Sequence, residues 1–167
     1  MHWNSLYEMS QFAEKYLDKD KVLNILDIGS KEVLNSGTYK QYFVNDNWNY
    51  LGCDLDTGDN VDVIIDNPYI LPFGNDSFDI VISGQTFEHI EYFWLTAKEI
   101  ARVIKQEGLF CLIVPSTGQI HKFPVDCWRF YEDGLKAIAK WMNFEVLESK
   151  ISDQSEWNDA VLITKKI

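Results

Sequence analysis

The chain alternates short apolar runs with polar turns, and the period of each run assigns an element. Leu6, Met9, Ala13, Tyr16 and Leu17 recur at helical spacing. Ser5 with Glu8 three residues on has the form of a capping box, so a helix of about three turns is predicted there. Val22 to Ile28 is a nearly unbroken apolar run, the pattern of a strand buried on both faces. Asn49 to Cys53 and Val61 to Ile65 predict two more strands, each ending beside an acidic residue, and Ser77 to Ser83 a fourth. Glu91 to Gln106 carries Trp94, Ala97, Ala101 and Ile104 on one helical face. Gly108 is expected to break that helix before a fifth strand, Leu109 to Val114, which Pro115 stops. Asp133 opens a helix striped by Leu135, Ile138 and Met142, and Phe144 to Leu147 and Ala160 to Thr164 are the last two strands.

Alternation of strand and helix implies a parallel sheet with right-handed crossovers and helices on both faces. The final two strands have no helix between them, which predicts an antiparallel hairpin. The expectation is a doubly wound, Rossmann-like α/β fold in three αβα layers. Its seven-stranded sheet is mostly parallel, with the antiparallel last strand inserted beside the fifth. No repeat or linker divides the chain, so residues 1–167 are expected to form a single domain, with 1–20 as an N-terminal helix packed on it.

Composition narrows the partners. The net charge of −11 comes without any basic cluster, and binding to nucleic acid needs Lys/Arg stripes, so none is expected. An anionic membrane surface would repel the chain, and no apolar run approaches the roughly 18 residues of a spanning helix. Met1-His2-Trp3-Asn4 lacks the basic and apolar stretches of a signal peptide. Cys53, Cys111 and Cys127 are odd in number and widely spaced, which predicts free thiols. A soluble, cytoplasmic chain is the expectation.

In an open parallel sheet, ligands bind outside the carboxyl ends of the strands. The residues just past those ends are Asp27, Gly29 and Ser30; Asp54; Asp66 and Asn67; Gln85 to Ile90; and Pro115 to Tyr131. A carboxylate at Asp54 is placed to accept both hydroxyls of a ribose, and Gly29 lets a ligand approach the backbone closely.

The segments Ile25-Leu26-Asp27-Ile28-Gly29-Ser30, Leu51-Gly52-Cys53-Asp54, Leu71-Pro72-Phe73, Ser77-Phe78-Asp79 and Phe87-Glu88-His89-Ile90, in that order, resemble the class I S-adenosylmethionine-dependent methyltransferases, in particular the small-molecule group. The block from His121 to Tyr131 resembles members associated with bacterial surface-glycan biosynthesis. The resemblance implies S-adenosylmethionine as cofactor and S-adenosylhomocysteine as product. It places Asp27, Gly29 and Ser30 beside the methionine part, Asp54 on the ribose and Leu55 against the adenine. Asn67 or Asp66 would reach the adenine amino group, and Gln85 would lie near the sulfonium. A small-molecule acceptor is implied, with a sugar hydroxyl as the candidate.

The family's glycine-rich loop is altered here: Gly29 is followed by Ser30, Lys31, Glu32 and Val33, and the next glycine, Gly37, is expected to open the first crossover helix by a longer path. Missing glycines argue against a dinucleotide oxidoreductase, whose pyrophosphate needs several close backbone approaches. They leave a second reading open, a module that binds the cofactor without turnover and serves a partner enzyme. An oxygen acceptor gains from a general base, and His89 and His121 both lie past strand ends, with Asp126 placed to orient an imidazole. The aromatic set Phe123, Trp128, Phe130 and Tyr131 is either an acceptor wall or a loop anchor. No metal site is expected, because His89, His121 and Cys127 lack ligand spacing.

Overall fold

A computed structural model describes residues 2–33 and 36–167. Its strands are β1 (Leu23–Ile28), β2 (Trp48–Asp54), β3 (Val63–Ile64), β4 (Phe78–Gly84), β5 (Ile104–Pro115), β6 (Phe144–Ser152) and β7 (Asp159–Lys166). Among the described residues these form a seven-stranded sheet in the order β3-β2-β1-β4-β5-β7-β6. β1 pairs in parallel with β2 and with β4, and β4 with β5. β7 runs antiparallel to both β5 and β6, so it is the reversed strand. The strand order turns back at the boundary between β1 and β4, the topological switch where doubly wound sheets bind ligands.

Period-two alternation sends successive strand residues to opposite faces. Ile25, Ile80, Ile82, Ile113 and Val161 join Met9, Phe12 and Ala13 of helix α1 (Trp3–Tyr16) on one face. Leu26, Val81, Leu112 and Leu162 join Ala97 and Ile100 of α2 (Phe93–Val103) and Leu135 and Ile138 of α3 (Glu132–Met142) on the other. Each such buried Val, Leu, Ile, Phe or Met side chain contributes about 1.5–3 kcal/mol. Ala160 to Thr164 is 0–3% exposed, as expected for a strand flanked on both sides.

Several expectations at element boundaries fail for physical reasons. Ser5 and Glu8 do not cap α1, which starts at Trp3 with His2 before it. Both are buried along the helix instead; the Ser5 hydroxyl meets the Tyr39 hydroxyl, and Glu8 pairs with Lys150 at 2.8 Å. The first crossover holds a 3₁₀ turn at Tyr39–Tyr42 rather than an α-helix opened at Gly37. Leu34 and Asn35 lie outside the described residues. The helix predicted to Gln106 stops at Val103, since Ile104 pairs with Phe78 and Lys105 binds Asp79 at 2.8 Å. A register shift follows, with Glu107 at φ +66°, before β4 and β5 resume pairing at Ile80 and Leu109. β6 runs five residues past Leu147, where Glu148 and Lys150 had masked an edge strand.

Candidate active site

The carboxyl edge of the sheet divides into two halves. On the first, β1 delivers Asp27 and then turns sharply: the Gly29 and Ser30 amides donate to the Cys53 carbonyl at 2.9 and 3.1 Å. Gly29 holds φ +79°, and a Cβ there would stand 2.1 Å from the Thr86 hydroxyl oxygen, so only glycine fits this turn. Ser30 is buried, donating to the Asn60 carbonyl at 2.7 Å.

Asp54, at the end of β2, accepts from the Lys31 amide at 3.1 Å through one oxygen and from the Asp56 amide at 3.3 Å through the other. Each oxygen keeps a further acceptor position. Asp27 is buried; the Tyr50 hydroxyl donates to its Oδ2, while its Oδ1 has no partner among the described residues. Burial pushes its carboxyl up to about 7. Leu55 is 48% exposed. Asp66 is exposed, while Asn67 closes a turn by accepting from the Tyr69 amide at 2.8 Å.

The second half follows β4 and β5. Gln85, at φ +56°, donates to Asp159 Oδ1 at 2.9 Å, and Asn4 donates to Oδ2 at 2.6 Å. Burial raises the Asp159 carboxyl to about 6. The loop between β5 and α3 is pinned back to the segment after β4: the Cys127 amide donates to the Glu88 carbonyl at 2.7 Å, and the Trp128 indole to the Ile90 carbonyl at 3.0 Å. Phe130 is buried against Phe93, with ring centres 5.1 Å apart. Trp128 and Phe130 therefore anchor the loop, and Tyr131 is exposed. Phe123 stands at the site, 5.8 Å from the His89 ring and 6.1 Å from the His121 ring.

That anchoring brings His121 to His89, their rings edge to face at 4.8 Å, with Trp157 of the β6–β7 turn 4.7 Å from His121. His121 keeps 27% of its side chain exposed. Asp126 takes a bidentate pair from Arg129 at 2.6 and 2.9 Å and accepts the His121 amide at 2.8 Å. Its distance to the His121 ring is 3.5 Å. The carboxylate thus positions His121 through its backbone more than through the imidazole. Arg129's hydrogen bonds hold the Asp126 carboxyl down at about 2.

His89 Nδ1 donates to the Val125 carbonyl at 2.6 Å, which leaves Nε2 as the free lone pair. Burial lowers the pKa of this imidazole. Beneath it lies Glu88, fully buried, Oε1 3.6 Å from His89 Nε2. Neither carboxyl oxygen has a hydrogen-bond partner among the described residues. Burial raises the Glu88 carboxyl to about 8. Cys127 is exposed and stands outside this cluster.

Residues 26–112 match the model of a family described as a methyltransferase domain, which is more than half of the chain. The chain belongs to the methyltransferase-domain family. The unpartnered Asp27 Oδ1, the open acceptor positions of Asp54 and the tight turn at Gly29 fit S-adenosylmethionine, the cofactor that the sequence resemblance implies.

Among solved structures, it is similar to the 1,6-didemethyltoxoflavin-N1-methyltransferase of Burkholderia thailandensis, crystallised with 1,6-didemethyltoxoflavin and S-adenosylhomocysteine. Identity is 15%, the TM-score 0.76, and the match covers 97% of this chain and 78% of that one. A S-adenosylmethionine-dependent methyltransferase of Aquifex aeolicus matches at 15% identity and TM-score 0.68, over 98% of both chains. One from Methanosarcina mazei matches at 16% and 0.69, over 92% of this methyltransferase and 96% of that chain. At such identities the likeness is one of fold. The search of curated proteins returned no significant match.

Sequence reasoning missed Thr86, Tyr50, Asp159 and Trp157, whose roles come from contacts across 23 to 74 positions. Glu88 carried a visible signal, being an acid next to a histidine just past an apolar strand.

Proposed function

We propose that this methyltransferase methylates an oxygen of a small polar acceptor, a sugar hydroxyl being the candidate, seated against residues 121–131. Asp27 and Gly29 would hold the methionine part of the cofactor, Ser30 would keep that turn in shape, and Asp54 would hold the ribose hydroxyls. Leu55 would cover the adenine, with Asn67 or Asp66 at its amino group and Gln85 near the sulfur. When bound, S-adenosylmethionine supplies a methyl already activated as a sulfonium, and its transfer leaves a neutral thioether.

The observation that carries the acceptor side is the corner formed by His121, His89, Phe123 and Trp157 beside the end of β4. Aromatic faces with a polar rim suit a sugar ring. The acceptor oxygen forms its bond to the methyl carbon as it gives up its proton. A neutral imidazole within reach of that oxygen can receive the proton. His121 is the more exposed of the two and is our choice to touch the acceptor, with His89 behind it and Asp126 fixing the loop. The chain's remaining work is alignment and exclusion of water, a contribution of about 7–11 kcal/mol in well-oriented systems. The free thiols at Cys53, Cys111 and Cys127 fit a reducing, cytoplasmic setting, and among the described residues no helix is long and apolar enough to cross a membrane.

Release of S-adenosylhomocysteine measured over a panel of sugars and nucleotide-sugars tests the reading. Turnover on one of them, lost in His121→Ala, is the expected result. Tight cofactor binding with no turnover on any acceptor would favour the second reading, a binding module, which the single-glycine turn filled by Thr86 supports.

A further inference from the structure

Glu88, His89 and His121 each offer one ligand atom, and the three atoms lie within 4.8 Å of one another. We propose that they bind a divalent transition-metal cation on the acceptor side of the sheet edge. The inference rests on the acceptor-side reading above and revises one step of it: with a cation bound, His121 would serve as a ligand, and the acceptor hydroxyl would lose its proton to solvent under the influence of the cation rather than to the imidazole.

The independent observation is Glu88. Its carboxyl is fully buried, faces His89 Nε2 at 3.6 Å, and has neither oxygen engaged among the described residues. A buried polar group left without a partner costs several kcal/mol or coordinates a metal. The carboxylate in this loop that is already satisfied is Asp126, neutralised by Arg129 at 2.6 Å. Glu88 has no such cation in contact.

The imidazoles are arranged as metal ligands are. A ligating histidine ordinarily gives its other ring nitrogen to a carbonyl or carboxylate, which fixes the tautomer. His89 does so with the Val125 carbonyl at 2.6 Å. His121 has Asp126 at 3.5 Å and the Gln119 carbonyl at 3.3 Å beside its Nδ1. Two imidazoles and one carboxylate suit a borderline cation such as Zn²⁺, Fe²⁺ or Co²⁺ rather than Mg²⁺ or Ca²⁺. Three protein ligands leave a coordination position open, where an acceptor hydroxyl would lose its proton more readily. With metal–ligand distances of about 2.0–2.2 Å, the ligand atoms must come to roughly 3.3 Å apart. The Glu88–His89 separation is near that, so the closure falls to His121, which is carried on a loop.

The test uses the full chain stripped with a chelator and titrated with Zn²⁺ by calorimetry, and with Co²⁺ read by its visible ligand-field absorption. One equivalent should bind. Glu88→Gln and His121→Ala should each weaken binding at least tenfold, and Cys127→Ser should leave it unchanged. Thermal melting and S-adenosylhomocysteine binding report whether each variant folds; if Glu88→Gln does not, His121→Ala decides. Absence of saturable binding, or affinity unchanged by the Glu88 and His121 substitutions, overturns the proposal. Specific binding without methylation of any sugar would keep the metal site and remove the sugar reading. Where an acceptor is found, chelation should stop methyl transfer and Zn²⁺ or Co²⁺ restore it.

Discussion

The two halves of the sheet edge are built by different means. Past β1 and β2, main-chain amides tie the turns together: Gly29 and Ser30 on the Cys53 carbonyl, Lys31 on the Asp54 carboxylate, Asp62 on the Gly52 carbonyl. Past β4 and β5, the loop to α3 is held by contacts of longer range, the Cys127 and Trp128 amides on the Glu88 carbonyl and Trp157 against His121, together with its internal Asp126–Arg129 pair. Carboxylates along the edge diverge by burial and pairing, not by half. Asp126 is paired and held near 2, whereas Glu88 and Asp27 are buried and pushed up to about 8 and about 7. On the proposal above, the half past β1 and β2 would serve the cofactor and the half past β4 and β5 the acceptor.

The largest effect expected from this contrast is on chemistry. His121→Ala should lower turnover by about 10²–10⁴-fold, the usual cost of losing acid–base assistance, in steady-state assays on whichever acceptor is found. A change of less than about threefold would take His121 out of the acceptor half.

Gly29→Ala should damage the cofactor half through its backbone. Left-handed φ and a Cβ driven into Thr86 predict a loss of about 1–3 kcal/mol in chemical denaturation. An unchanged midpoint would mean the turn is not locked by Thr86.

Asp27 gives the cofactor half a pH signature. Its folded carboxyl sits near 7 against 3.8 for the ordinary group, so the folded chain holds this proton more tightly than the unfolded one. The stability this contributes is complete below 3.8 and is lost as pH rises to about 7. Asp27→Asn removes the dependence. Without cofactor, the variant should gain on wild type across that window by up to about tenfold in the folding equilibrium per pH unit. A difference between the two proteins that stays flat with pH contradicts the assignment.

The same contrast explains what could be read from the chain. Apolar runs located β1, β4 and β7 to within two residues at each end, and β5 only from Leu109 on, because strands buried on both faces leave little room for polar positions. Asp27, Gly29 and Asp54 stood out since a strand end followed by an acid or glycine is a local signal. Glu91 to Gln106 misled because Ile104 satisfies both a helical stripe and a strand, and pairing with Phe78 decided for the strand. Ser5 and Glu8 misled because a capping box is legible without knowing that Tyr39 and Lys150 will cover them. Thr86 on Gly29 and Trp157 on His121 exist only once the sheet has assembled.

The central claim is that cofactor and acceptor are handled by separable groups along one edge. Calorimetric titration of S-adenosylhomocysteine into wild type, Asp54→Ala and His121→Ala tests it most directly. Removing hydrogen bonds to a charged acceptor costs about 1.5–3 kcal/mol, so Asp54→Ala should bind at least roughly tenfold more weakly, while His121→Ala should match wild type. Equal losses in both variants, or an unchanged affinity for Asp54→Ala, would contradict the account.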